Sequence, residues 1–388
     1  MEAALSEVTL GGQRGSARDQ NRGLVLELIL EESPLSRAQI LDRTGLSRST
    51  VGRVLDELAE AGLIAERPTS DRAQSRGRPV RGIIASPQIG HVMGADIGVE
   101  TTRVMWADLN GTILHRERVH TPRLPNVSDL ATWFCELIRR VRPPGSGECL
   151  QSVISVPAKV IDGVSIVRPA VGLSNIAGSD FFARVAYELG GHVELRSDPD
   201  MALTGEMVDG AAKGFRDVAL LVISTALAGS VAVDGVQLAE RRQIVGEFGF
   251  YPYPYRDGFT LADVLSLQGI RGRADHEGVA LPPTSEFLDA LVNGEFQIYR
   301  EDFIRGLHIA VTALALSLDP EIVVFGGRTV PLVSSILPEV ADRLQQTLPQ
   351  IPQLAVSRSD GYSQPRGTIE VGLSCARKRL RESTALND

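Results

Sequence analysis

A cluster of arginine and hydroxyl side chains lies near the N-terminal end of the sequence, directly after the turn Thr44-Gly45-Leu46. Guanidinium and hydroxyl groups form hydrogen bonds to phosphate oxygens and to the edges of DNA bases. Val51, Val54 and Leu55 recur between these polar positions at helical spacing, so the polar side chains should share the exposed face of a helix. The cluster, which we predict to contact DNA, consists of Ser47, Arg48, Ser49, Thr50 and Arg53.

A second basic motif, Ser75-Arg76-Gly77-Arg78-Pro79, follows the first one. Glycine lets a backbone approach a ligand closely, and flanking arginines can enter a minor groove or clamp phosphates. Arg76, Gly77 and Arg78 are therefore further candidates for DNA contact. The alternative is a free, solvated arginine loop, and the basic strip from Arg67 to Arg81 does not by itself decide between the two.

The local sequence predicts the elements that would position these side chains. Apolar residues at helical spacing indicate a helix over 21–32. Ser36 and Ser47 are suitable N-caps for two further helices, and Gly45 between them suits a left-handed turn. Strand-like runs follow over 63–67 and 80–85. This order predicts a winged helix-turn-helix that binds DNA, and the alternative is a helical hairpin used for protein contact.

The charge of the chain is unevenly distributed. The 388 residues carry a formal net charge of −8, whereas residues 1–90 contain 12 Arg and 12 Asp plus Glu and are neutral. An acidic protein of this kind does not coat nucleic acid with its whole surface. A local basic strip on it suits a confined contact with double-stranded DNA.

Composition also bounds the location of the protein. No apolar run is long enough for a membrane span, and residues 1–20 lack the apolar core of a secretory signal, so we expect a cytoplasmic protein with a disordered N-terminal arm over 1–20. Cys135, Cys149 and Cys375 are scattered and odd in number. They predict neither a disulfide framework nor a metal site.

The chain changes character after a linker at residues 87–90. Strand-like apolar runs then alternate with helical stretches, which indicates an α/β domain. The predicted strands are 92–96, 104–109, 152–156, 192–195, 218–223 and 321–325, and the predicted helices are 128–141, 180–189, 286–293 and 301–318.

Two motifs in this part resemble the ROK family, which comprises repressors, open reading frames and sugar kinases. The run 94–98 with Asn110-Gly111 is similar to the family's opening β-hairpin, and the run 318–327 is similar to its late strand ending in Gly-Gly. The resemblance covers roughly residues 20–380, including the Gly-Arg-Pro wing. It implies a winged helix-turn-helix over 21–86 and a two-lobed, actin-like ATPase domain of ribonuclease-H-like fold over 90–388. Lobe one would span about 90–212 plus the C-terminal helix, and lobe two about 213–367.

The resemblance also implies an effector site. Asp198 stands where the family's kinases have the general base for a sugar hydroxyl, with Ser197 in place of asparagine. Asn175 lies in a segment that resembles the loop presenting an asparagine to the sugar. Glu247 matches a sugar-contacting glutamate, and Phe250 stands where histidine is expected.

Each of these positions has a plainer alternative. Asp198 and Asp200 suit a solvated turn before a helix, with Asp200 as its N-cap. Glu247 suits a buried acid paired to a backbone amide. The aromatic cluster suits either a stacking surface for a sugar ring or a rigid packed loop, and the packed loop is slightly favoured; the cluster consists of Phe250, Tyr251, Tyr253 and Tyr255.

Three departures from the family pattern indicate that kinase chemistry is lost. The segment 224–230 has Ala226 and Ala228 where a phosphate-binding loop needs glycine. Glu100 follows the Asp-Ile-Gly motif and would repel a triphosphate. The segment 251–260 has neither cysteine nor histidine, so the family's structural zinc cannot be assembled there. We therefore expect no catalytic residues, no metal and no cofactor.

These observations predict a DNA-binding transcriptional repressor controlled by a small-molecule effector, most simply a sugar or sugar derivative. The partners would be a double-stranded operator, the effector, and further copies of the chain in a homodimer or dimer of dimers. Two alternatives stay open: an active sugar kinase with an accessory DNA-binding domain, and a repressor whose effector is not a sugar.

Overall fold

The structure, a computed structural model, describes residues 17–68, 81–145, 147–238, 244–358 and 361–386. Arg76, Gly77 and Arg78 lie outside the described residues, as does most of the predicted arm. The arm prediction is wrong for residues 17–20, because the first helix begins at Ala17. Arg18 in its first turn forms an ion pair with Glu57 at 3.0 Å.

The predicted winged helix-turn-helix is confirmed. Ser36 and Gln39 form a capping box at the second helix, and Gly45 ends that helix in the left-handed conformation, with φ of 65°. Ser47 caps the third helix. Within the described residues the module comprises α1 (Ala17–Glu32), α2 (Arg37–Thr44), α3 (Arg48–Glu60), β1 (Ile64–Pro68) and β2 (Arg81–Ala85), and the two strands pair antiparallel.

A mixed five-stranded sheet follows. It contains β3 (His91–Ile97), β4 (Thr101–Asp108), β5 (Ile113–His120), β6 (Cys149–Val156) and β9 (Val193–Ser197). The strand order is β5-β4-β3-β6-β9, and every residue of the central strand β3 is buried. The other elements of this part are α4 (Val127–Arg140), β7 (Lys159–Ile161), β8 (Ser165–Val167), a 3-10 segment (Val171–Ile176), α5 (Asp180–Leu189) and α6 (Asp198–Asp209).

A second five-stranded sheet is built from β10 (Val218–Ile223), β11 (Leu227–Val233), β12 (Val236–Gln237), β13 (Ile322–Gly326) and β14 (Gln353–Val356), in the order β12-β11-β10-β13-β14. Strand β11 corrects the prediction of a loop over 224–230. Only residues 224–226 turn, because Ile223 already pairs with Leu227. The helices of this part are α7 (Leu261–Leu265), α8 (Leu267–Glu277), α9 (Thr284–Val292), α10 (Gln297–Leu318) and α11 (Val330–Gln345).

The last helix, α12 (Ser363–Leu386), returns to the first sheet and crosses α6 at backbone contact. A Cβ atom on Gly205 would overlap the carbonyl oxygen of Ser363, and a Cβ on Gly367 would overlap the carbonyl oxygen of Met201. Gly94 in β3 has no room for a Cβ against α12 either. Only glycine permits such a close approach of two backbones.

One buried apolar cluster joins the N-terminal module to the first sheet. It includes Val25 and Ile29 of α1, Met105 of β4 and Leu373 of α12. Burial of each such side chain stabilises the folded state by about 1.5–3 kcal/mol relative to exposure. The module is therefore packed against the sheet as well as connected to it by the chain.

Replacing Gly367 by alanine should lower the free energy of unfolding by about 1–3 kcal/mol, because the new methyl group forces α12 away from α6. The matched control is Gly272→Ala in α8, where a Cβ meets nothing within 4 Å. That change should raise the free energy of unfolding by about 0.5–1 kcal/mol, since alanine is the better helix former. Urea unfolding measures both. Equal responses of the two variants would contradict the tight crossing.

Candidate nucleic-acid interface and sheet junction

The predicted DNA-contact side chains lie on the N-terminal half of α3. The Ser47 Oγ accepts a hydrogen bond from the Thr50 N–H at 3.1 Å and fixes the start of the helix. Arg48 and Ser49 are exposed, and the Arg53 side chain is 60% exposed to solvent. A helix of this kind enters a major groove with its first turns, so these side chains are placed to reach phosphates and base edges.

The second basic motif belongs to the connection between β1 and β2. Pro68 and Arg81 pair at the end of the hairpin. Arg76, Gly77 and Arg78 themselves lie outside the described residues, and their contact with DNA stays a prediction.

The N-terminal end of α6 brings acidic side chains to the place where the two sheets meet, which we call the sheet junction. Contacts between distant segments define it: Ser230 donates to Asp200, Arg168 pairs with Glu247, and Arg328 pairs with Glu100. The junction consists of residues 96–103, 168–172, 197–200, 224–230, 247–250 and 328. Ser197, rather than Asp200, occupies the N-cap position of α6. Asp200 is buried and accepts a hydrogen bond from the Ser230 Oγ at 2.8 Å. The alternative of a solvated turn capped by Asp200 is therefore wrong.

The negative charges of Asp96 and Asp198 repel each other across this junction. Asp96, in β3, accepts a hydrogen bond from the Ser155 Oγ at 3.0 Å and forms an ion pair with Arg103 at 3.3 Å. Burial nevertheless raises the pKa of Asp96 to about 6. Burial, and then the charges of Asp96 and Asp200, raise the pKa of Asp198 well above its usual range. Asp198 is thus a carboxyl group that favours its neutral form more than an ordinary surface acid does.

Of the other predicted effector residues, Glu247 and Phe250 lie at the same junction, whereas the Asn175 side chain is bonded to the connection before α4. The Asn175 side chain donates a hydrogen bond to the Leu124 carbonyl at 2.9 Å. Glu247 is not a buried acid held by a backbone amide, since its side chain is 32% exposed and pairs with Arg168 at 3.1 Å. Phe250 remains 71% exposed and presents its ring to solvent.

Two ion pairs connect the sides of the junction. Arg168, which follows β8, pairs with Glu247, and Glu100, which precedes β4, accepts two hydrogen bonds from the Arg328 Nη1 at 2.9 and 3.0 Å. Arg168 holds a positive φ of 48°, an uncommon conformation for a residue with a side chain. Sequence reasoning did not find Arg168 or Arg328, because nothing near either residue indicates its distant partner.

Of the aromatic cluster Phe250, Tyr251, Tyr253 and Tyr255, the structure supports the packed-loop alternative at Tyr253 alone. Tyr253 is buried and donates a hydrogen bond to the Asp302 Oδ1 at 2.7 Å. Arg256 and Arg273 both pair with the same carboxylate, at 3.1 and 2.8 Å. Burial and the Asp302 carboxylate raise the pKa of Tyr253. Phe250, Tyr251 and Tyr255 keep exposed rings.

No group of three His, Cys, Asp or Glu side chains among the described residues is placed to hold a metal ion. Likewise, none of the helices described is long and apolar enough to cross a membrane.

Residues 92–368 match the ROK family, and residues 21–75 match the MarR family. A xylose repressor from Bacillus spizizenii is 26% identical over 224 residues, which are 55% of this chain and 55% of the repressor. The chain therefore spans about half the length of the curated relatives it matches.

Solved structures agree on the fold. A ROK family transcriptional regulator, described as a homolog of the E. coli MLC protein, has a TM-score of 0.71 at 18% identity, over 96% of this chain and 99% of that chain. A ROK hexokinase from Thermus thermophilus has a TM-score of 0.61 at 20% identity, over 74% of this chain and 99% of that chain. At these identities the likeness concerns the fold alone.

Replacing Asp96 by asparagine should flatten the dependence of stability on pH. The pKa of Asp96 rises from 3.8 to about 6 on folding, so between these values the folded protein binds more protons than the unfolded chain. The contribution of Asp96 to the free energy of unfolding therefore falls as pH rises from about 4 to about 6, by at most about 3 kcal/mol. In Asp96→Asn this fall in the free energy of unfolding between about pH 4 and about pH 6 should be absent.

Urea unfolding at several pH values between 4 and 7 measures the difference. The matched control is Asp129→Asn, which changes an exposed carboxylate on α4 and should follow the wild type. A pH dependence for Asp96→Asn that equals the wild-type curve would show that Asp96 titrates normally in the folded protein.

Proposed function

Because this chain belongs to the ROK family, we propose that it is a transcriptional repressor that binds an operator through its winged helix-turn-helix and responds to a small-molecule effector. One observation carries this proposal: an N-capped α3 with exposed arginines lies on a module whose apolar core continues into the ROK domain. A DNA contact and an effector domain that share a core can influence each other.

We propose Ser47, Arg48, Ser49, Thr50 and Arg53 as the groove contacts, with Arg76, Gly77 and Arg78 on the wing. Arginine and hydroxyl groups serve both phosphates and base edges. A single module reads a short half-site, so a homodimer or dimer of dimers on a palindromic operator fits this geometry. We propose domain boundaries of about 17–86, because α1 begins at Ala17, and of 90–388, with lobe two ending before α12 at Ser363 rather than at 367.

The proposed effector is a sugar or a sugar derivative at the sheet junction. Asp198 and Glu247 offer carboxyl groups to ligand hydroxyls, Asn175 offers an amide, and the exposed Phe250 ring offers a stacking face. The xylose repressor among the relatives supports this class of ligand. A sugar that uses Glu247 must compete with Arg168, because the two side chains are already paired.

We further propose that the ROK domain of this chain lacks kinase activity. Phosphoryl transfer depends on positioning and charge stabilisation of the phosphates. Glu100 adds negative charge next to the Asp-Ile-Gly motif and occupies Arg328, while Ala226 and Ala228 replace glycine. Ala228 also pairs with Val222 in the antiparallel ladder of β10 and β11.

The operator test is a gel shift with palindromic sequences from the region of the chain's own gene. Arg48→Ala should weaken binding by about 1–3 kcal/mol if Arg48 reads a base, and should lower the salt slope by about one if it contacts a phosphate. The matched control is Arg140→Ala, an exposed arginine on α4. Absence of any specific shift, or an undiminished shift for the double variant Arg48→Ala with Arg78→Ala, would count against operator binding.

A coupled ATPase assay over a panel of sugars tests the loss of kinase activity. The wild type should show no sugar-dependent turnover above that of Asp198→Asn, because the phosphates lack a cradle. Robust turnover that disappears in Asp198→Asn would instead support the alternative of an active sugar kinase with an accessory DNA-binding domain.

A further inference from the structure

The turn between β4 and β5 contacts the end of the winged helix-turn-helix. The Asn110 Nδ2 donates a hydrogen bond to the Ala85 carbonyl at 3.0 Å, and the Asn110 Oδ1 accepts one from the Ala85 N–H at 2.9 Å. The same Oδ1 accepts a hydrogen bond from the Ser33 Oγ at 2.8 Å. One side chain thus satisfies both peptide groups of the last residue of β2 and also reaches the end of α1.

Asn110 is itself held in place. Its N–H donates to the Asp108 Oδ1 at 2.9 Å, and Asp108 also accepts from the Thr112 N–H at 2.9 Å. Arg377 of α12 donates to the neighbouring Leu109 carbonyl at 2.8 Å. The turn is therefore held by its own sheet and by α12, independently of its contact with the module.

Helix α12 provides a second connection to the module. Arg381 forms ion pairs with Glu27 and Glu31 of α1. Leu373 packs in the same apolar cluster as Ile29 of α1. Helix α12 also crosses α6, whose first residue is the candidate effector residue Asp198. The module is therefore linked through α12 to the candidate effector site.

We propose that Asn110 is a positioning residue that makes the winged helix-turn-helix a rigid extension of lobe one. This inference rests on the proposed function. The effector signal then reaches DNA when lobe one turns together with its module, and the spacing of two modules on a palindrome changes. Without Asn110, the apolar cluster and the Arg381 ion pairs would still hold the module, but the polar contact that fixes its angle at residues 86–90 would be lost, and each module would still read its half-site.

Hydrogen exchange of the full-length protein tests the joint without DNA. Asn110→Ala should speed exchange at residues 25–30 and 51–58 by about tenfold or more, which corresponds to about 1.4 kcal/mol, while β3 stays protected. Asn110→Asp puts a carboxylate oxygen opposite the Ala85 carbonyl and the Asp108 carboxylate, where the amide donated, so it should speed exchange at least as much as alanine does. The control Asn126→Ala removes an exposed amide bonded to Asp129 and should change nothing.

DNA binding supplies a readout that loss of structure alone would not give. With a palindrome selected by the wild type, Asn110→Ala should bind about tenfold more weakly, while its affinity for the isolated half-site stays within about twofold. Equal losses on both DNAs, or wild-type exchange in the module, would overturn the role of Asn110. If the wild type binds no DNA, the proposed function fails, whereas the exchange experiment still decides whether the joint exists.

Discussion

The backbone contact between α6 and α12 is the constraint on which the arrangement of this chain depends. Glycine at 205 and 367 sets the distance between the helices. The fully buried Glu206 sets their register, because it accepts a hydrogen bond from the Ser363 Oγ at 2.6 Å. Packed interiors have little free volume, so a displacement of α6 at Asp198 must be accommodated by α12. Events at the sheet junction therefore have a direct mechanical path to the rest of lobe one.

The junction balances its charges unequally, and this imbalance suits ligand binding. The buried Asp96 has Arg103 as a counter-charge, whereas the half-buried Asp198 has acidic neighbours. A carboxyl group in that setting gains from a ligand hydroxyl that shares its proton or donates to it. Glu247 differs, because Arg168 already neutralises it. A ligand hydroxyl can therefore bond to Asp198 directly, whereas at Glu247 it must first displace Arg168.

The parts of this structure that depend on neighbouring residues could be predicted from the sequence, and the parts that depend on distant residues could not. Ser36, Gly45 and Ser47 indicate the helix-turn-helix, because helix caps and left-handed turns depend on residues that are close in sequence. The sequence predicts a loop where β11 begins, because the ladder partner of this strand lies in β10. The pairing of Arg168 with Glu247 joins residues far apart in the chain, so neither residue shows it alone.

The ion pair between Glu100 and Arg328 also limits how firmly the two sides of the sheet junction are held together. Both side chains are about half exposed, and the Arg328 Nη1 donates to the two Glu100 carboxylate oxygens at 2.9 and 3.0 Å. An ion pair in that setting contributes at most about 1 kcal/mol and is screened by salt. The junction is therefore closed at this point by a contact that opens readily, and more readily as the salt concentration rises.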